Sequence, residues 1–287
     1  MKIICLMKIK DLQKGLVRYN NNNNTIFEGK YMVRLSALFS YEAVPLIRAV
    51  KRISSIQFEW LTLTALWDSF IQGKVDGILC PPLMAVHFPE SLIVPGVGIA
   101  TSGGVPAPVL YSRKPIHEIK TIFVGERYKH WEDWLKVVWH LLNKNSVENL
   151  LNINREGNGD EDAWLIDDIK EKKEQEGIYS YNIGELWKQV SIYPMVCWVW
   201  LCRGDSDYRQ IRNVLGHIWD NAKENLTELK RGMLKTEEIP EESVTQLKGI
   251  EDIYYNLASL EFEGIHWFVE QACNCGVIPE GAEIHIC

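Results

Sequence analysis

The chain has 287 residues, 46% hydrophobic and 24% charged, with a formal net charge of −7. That is enough material for two domains, or for one large domain of two lobes, each with a core. The acidic balance excludes nucleic-acid binding as the main business, because phosphate recognition needs clustered Lys and Arg, and no apolar run is long enough to cross a bilayer.

Seven cysteines without regular spacing fit a reduced compartment better than a disulfide framework. The apolar run Ile3–Met7 is too short for a secretory core. These features lead us to expect a soluble, cytoplasmic protein.

Residues 1–31 read as a flexible leader, since the run Asn20–Asn24 has nothing to bury. From Met32 the pattern turns α/β. "VRLSALF" reads as a strand, "AVPLIRAVKRI" as a helix opened by Pro45, "FEWLTLT" as a strand, "LWDSFIQGK" as a helix and "VDGILC" as a buried strand. This order favours mostly parallel sheets with helices on their faces, where ligands bind beyond the C-terminal strand ends. Candidate contacts there are Ser40, Tyr41 and Glu42 after the first strand, Pro82 after the third, and the loop Thr101–Gly104.

"VLYSR" and "TIFVGE" read as further strands, followed by a long helix carrying Trp131, Trp134, Val138 and Leu142. "NINREGNGDED" reads as an exposed polar loop, "AWLIDDI" as a short buried strand ending on Asp167 and Asp168, and Met195–Cys202 as a strand covered on both faces. From Asp205 the pattern is mostly helical, with a helix near Ile250–Leu260 and another over "EGIHWFVEQACNCG". The expected division is lobe 1 over 32–112, lobe 2 over 113–197 and a helical return to lobe 1 over 198–287.

Several segments resemble the menaquinone-biosynthesis family of the futalosine pathway, which contains chorismate dehydratase and a related naphthoate synthase. They are "VRLSALFSYEAVPLI", "GKVDGILCPP", "VPGVGIATSGGVPAPVLYSRKPIHEI", "DAWLIDDI", "YNIGELWKQVSIYPMVCWVW" and "EGIHWFVEQACNCGVIPEGAEI". The resemblance runs from Val33 to the C-terminus. It implies a two-lobed, type II periplasmic-binding-protein-like fold closing on a small molecule, a carboxylate in the dehydratase, without metal or organic cofactor. In that enzyme water leaves chorismate to give an enolpyruvyl benzoate. The oligomeric state does not follow from it.

The chain departs from the family at telling points. Glu42 stands where the family's first loop offers Asn, Pro82 where a later loop offers Ser, and "GERYKHWEDW" where a helix start is rich in Ser and Thr. A carboxylate at 42 facing an anionic ligand repels it unless protonated or paired. Two classes of function therefore stand: a lyase acting on chorismate or a related cyclic carboxylate, and a non-enzymatic binding protein that kept the clamp. A lyase with a changed substrate fits the same departures.

Each candidate residue carries a functional and a plainer reading. Ser102, Gly103 and Gly104 offer backbone amides to a ligand oxygen, or form a turn. Glu42 is a proton-transfer residue, or it points to solvent or pairs with Arg127 or Lys129. Asp168 shares the proton role or caps a helix. Arg127, Lys129 and His130 meet an anion beside a helix start, or form a solvated basic turn. Trp131 is a ligand platform or core, whereas Trp134 and Trp139 read as packing. Cys273, Cys275, His285 and Cys287 hold soft metal-ligand chemistry, but Cys-x-Cys is not the usual zinc spacing and the segment reads as a helix and tail without metal.

Overall fold

The computed structural model describes residues 17–19, 25–27, 32–50, 53–105, 108–143, 151–157, 160–166, 177–223, 226 and 250–287. Within the leader, β1 (Val17–Tyr19) and β2 (Thr25–Phe27) pair antiparallel. The Asn run and the remainder of 1–31 lie outside the described residues.

The folded part begins with β3 (Val33–Leu38), α1 (Val44–Val50), β4 (Ile56–Leu61), α2 (Leu63–Ile71), β5 (Gly77–Cys80) and β6 (Ser91–Thr101). It continues with β7 (Val109–Ser112), β8 (Thr121–Val124), α3 (Glu132–Leu142), β9 (Asn152–Asn154), β10 (Ala163–Ile166), β11 (Tyr179–Asn182) and α4 (Ile183–Val190). It ends with β12 (Met195–Arg203), α5 (Tyr208–Lys223), β13 (Ile253–Leu257) and α6 (Ser259–Asn274). Two sheets organise these elements, one of six strands in the order β13-β6-β12-β5-β3-β4 and one of five in the order β11-β7-β10-β8-β9.

Both sheets are mixed, which corrects the expectation of mostly parallel sheets. Parallel pairing holds β4, β3 and β5 together in the first sheet, and β9, β8 and β10 in the second. The remaining neighbours are antiparallel: β12, which returns from the second sheet, runs against β5 and β6, β13 runs against β6, and β7 runs against both β10 and β11. The crossings fall between Thr101 and Val109 and between Asn182 and Met195.

Three local expectations are also corrected. Thr62 caps α2 by accepting from the Ala65 amide, so the helix starts at Leu63 and "TLT" leaves the strand early. Asn152–Asn154 is not loop but β9, parallel to β8; it lies at the sheet edge, where a polar strand is tolerated. The segment expected as helix near Ile250–Leu260 holds β13, whose "IYYNL" alternates between buried and less buried positions along the edge of β6.

The core forms where these layers meet. Met195–Cys202 is buried throughout, as a strand sandwiched on both faces must be. Trp134 on α3 stacks on Phe268 of α6 with ring centroids 3.6 Å apart, and Trp187 of α4 packs edge-on against Trp134 at 5.0 Å. The packing reading of Trp134 and Trp139 accords with their burial. Among the described residues, no helix is long and apolar enough to cross a membrane.

Candidate functional site in the cleft between the sheets

The turn after β3 and the start of α2 face the 3-10 turn Glu126–Trp131 that follows β8. Between them lies a cleft of about 370 Å³, lined among others by Leu38, Phe39, Thr62, Thr64, Arg127 and His130. That volume falls in the range of small-molecule sites. Adjoining it, a small space of about 10 Å³ is lined by Phe39, Ser40, Tyr41, Glu42, Arg127, Tyr128, His130 and Trp131. It has room for roughly one water-sized group. Phe39, Arg127 and His130 border both spaces, so the two adjoin across this floor of side chains.

Glu42 is the buried acid of this floor, 1% exposed. Its Oε1 accepts from the Trp198 indole Nε1 at 2.9 Å, and its main-chain carbonyl accepts from the Tyr255 hydroxyl at 2.8 Å. Strands β12 and β13 therefore hold it in place from below. Burial raises its pKa from 4.5 to about 7, against the opposing pull of the Trp198 donor, its own amide and the Arg127 charge. The solvent-facing reading of Glu42 is thereby corrected. Lys129 forms its ion pair with Glu126 instead.

Arg127 crosses the cleft. Its guanidinium lies 4.9 Å from the Tyr41 ring centre, 5.4 Å from Phe39 and 5.8 Å from Tyr128. A cation over aromatic faces keeps its charge while its position becomes fixed. His130 differs from the sequence expectation of an anion-binding cation. Its ring hydrogen-bonds the Arg127 carbonyl, and burial with the nearby Arg127 charge lowers its pKa to about 3, so it is neutral at physiological pH. Trp131 is 2% exposed and helps close the inner cavity, which places it at the site without an open ring face.

Other predicted residues sit elsewhere or serve the scaffold. Ser40 uses its hydroxyl oxygen to accept from the Ala43 amide at 3.3 Å, shaping the turn that presents Glu42. Pro82 is buried in a 3-10 turn and lines neither space. Thr101–Gly104 forms part of the crossing between sheets, and the Gly103 and Gly104 amides expected to face a ligand are engaged internally. The Gly103 amide donates to Thr101 Oγ1 at 3.0 Å, the Gly104 amide to the Asp252 carboxylate at 3.0 Å, and the Val105 amide to Asn182 Oδ1 at 2.9 Å. A Cβ at Gly103 would overlap Asp252, and one at Gly184 would overlap the Gly103 carbonyl oxygen, so glycine here serves close packing. Ser102 is exposed.

Asp167 and Asp168 lie outside the described residues. Among the described residues no three His, Cys, Asp or Glu side chains gather as a metal site. Cys273 and Cys275 lie at the end of α6, while Cys287 donates weakly to the Ile93 carbonyl.

Sequence reasoning missed Phe39, Trp198 and Tyr255. Trp198 lies in a uniformly apolar strand, 156 residues from the carboxylate it holds, and no local pattern joins the two. The sequence does offer a weak signal in the indole and phenol groups, because buried Trp and Tyr need partners for their N–H and O–H.

A larger groove of about 460 Å³ lies at the opposite ends of β3 and β5, around Arg34, Asp76, Arg203 and Asp205. Its charges pair with one another, Arg34 with Asp76 at 2.6 Å and Arg203 with Asp205, and it lies away from the strand ends where ligands bind in such sheets. The smaller cleft is the better candidate.

A family model described as menaquinone biosynthesis matches residues 41–274. No curated protein matches the chain. Among solved structures, protein AF1704 from Archaeoglobus fulgidus is similar with a TM-score of 0.61 at 14% identity, covering 86% of this chain and 98% of its own. The alkanesulfonate-binding protein SsuA from Xanthomonas axonopodis pv. citri, bound to MOPS, gives a TM-score of 0.58 at 12% identity, covering 88% and 96%. The periplasmic aliphatic sulphonate binding protein SsuA from Escherichia coli gives 0.57 at 12%, with the same coverage. At these identities the likeness shows the periplasmic-binding-protein fold and not a ligand.

Proposed function

The chain belongs to the menaquinone biosynthesis family, and from that premise we propose that it is a lyase removing water from chorismate or a related cyclic carboxylate held between its two sheets. The observation that carries the reading is Glu42, a buried carboxyl held near neutrality in the small space that adjoins the cleft. A carboxyl with a pKa of about 7 is divided between acid and base at working pH, the condition under which proton transfer is most effective.

In this reading Arg127, fixed over Tyr41 and Phe39, neutralises a ligand carboxylate. Glu42 takes the proton from the ring carbon adjacent to the carbon bearing the hydroxyl. The electron pair of that C–H bond becomes a ring double bond as the C–O bond breaks. The departing hydroxide receives the proton from Glu42 and leaves as water, which restores the carboxylate. The enclosed floor keeps bulk water from competing for that proton. A protein that only binds gains nothing from a carboxyl poised in this way, which favours the lyase over the binding module.

The test is incubation of the purified protein with chorismate, following the enolpyruvyl benzoate product. Glu42→Gln keeps the shape and an acceptor for Trp198, and it is expected to lower kcat by roughly 10²–10⁴-fold, the usual weight of a general acid–base group. Absence of product from the parent protein overturns the dehydratase reading.

A further inference from the structure

We propose that Nε2 of His130 is the acceptor for a ligand hydroxyl at the deep end of the cleft, so that His130 sets a preference for a hydroxylated ring over its dehydrated counterpart. The inference rests on the dehydratase reading and names the contact that would recognise the leaving group.

Several observations converge on that nitrogen. The His130 ring bonds the Arg127 carbonyl, and Nε2 is shut off from solvent without any hydrogen-bond partner, so the bonded nitrogen is Nδ1. This fixes the tautomer: Nδ1 carries the hydrogen and Nε2 presents a bare lone pair. The indole nearest to it, Trp198 at 5.1 Å between ring centres, donates its hydrogen to Glu42 and not to His130. A buried acceptor left without a donor carries its desolvation cost uncompensated, and a ligand bringing the donor relieves it. The inner cavity bordered by His130 and Glu42 holds about 10 Å³, enough for a single oxygen and too little for a ring. A ring in the outer cleft can lower one hydroxyl into this space, whose lining includes both His130 and Glu42. Because the imidazole is neutral, it is suited to a hydroxyl donor rather than to a second anionic group.

The test compares two probes, chorismate and its dehydration product, which lacks the hydroxyl. Titration calorimetry on the Glu42→Gln protein measures chorismate without consuming it. Adding His130→Phe, which fills the site without an acceptor, is expected to weaken chorismate at least tenfold, equivalent to 1.4 kcal/mol, and to change product affinity less than threefold. Adding His130→Gln, whose amide oxygen can accept, is expected to recover part of the loss. Equal weakening of both probes, or no change for chorismate, overturns the role of His130 while leaving the dehydratase reading intact. Failure of either probe to bind even the wild-type protein overturns that reading and this inference together.

Discussion

Glu42→Gln also makes a sharp test of the floor's electrostatics, independent of any ligand. The wild-type carboxyl has a pKa of about 7 in the fold against an ordinary value of 4.5. Between those limits the native protein holds a proton that the unfolded chain has released, so stability falls as pH rises. At 1.36 kcal/mol for each pH unit, the full loss is on the order of 3 kcal/mol. Gln stays neutral at every pH and keeps an acceptor for Trp198, so the variant escapes that loss. Urea unfolding of both proteins from pH 4 to 8.5 should show the stability difference moving in favour of Glu42→Gln by about 3 kcal/mol, with most of the change between pH 4.5 and 7. His130 acts in the opposite sense, since its lowered pKa makes the fold lose stability as pH falls from 6.5 towards 3. Both proteins contain it, and its contribution cancels in the difference. A pH-independent difference would falsify the claim that Glu42 is buried and proton-bearing near neutrality.

Trp198→Phe removes the indole that stabilises ionised Glu42; the pKa should rise further, and the acidic limb of the kcat/KM profile should move to higher pH. An unmoved limb would separate Glu42 from the rate. Gly184→Ala introduces a Cβ into the space of the Gly103 carbonyl and the Gly104 backbone. The overlap should cost about 1–3 kcal/mol in urea unfolding, and wild-type stability in the variant would show that the two crossings are not packed as described.

The α/β class was legible because it rests on short-range patterns, and the same patterns pointed to the strand ends where the candidate cleft lies. The run Val33–Leu38 followed by Ser40-Tyr41-Glu42, and the basic turn at Arg127–His130, announce themselves locally. What the residues do there was less legible. His130 was read as a cation, yet its charge state depends on burial created by elements remote in the chain. The Gly104 amide looked open because its acceptor, Asp252, lies 148 residues away, whereas the Gly103 amide is taken up locally by Thr101, two residues before it. The reading of Ile250–Leu260 as helix failed for a related reason: the edge of β6 was a pairing partner that no local window could see.

The joints between the two sheets are gathered along one seam. Asn182 grips both the amide and the carbonyl of Val105, Gly184 lies against Gly103, and Gly264 of α6 packs on Pro194, where the second crossing returns. Two bodies pinned along a single line are expected to turn about it, like a book about its spine, rather than to slide or shear. A guest that draws the covers shut should then shrink the whole molecule, a contraction that small-angle scattering would follow.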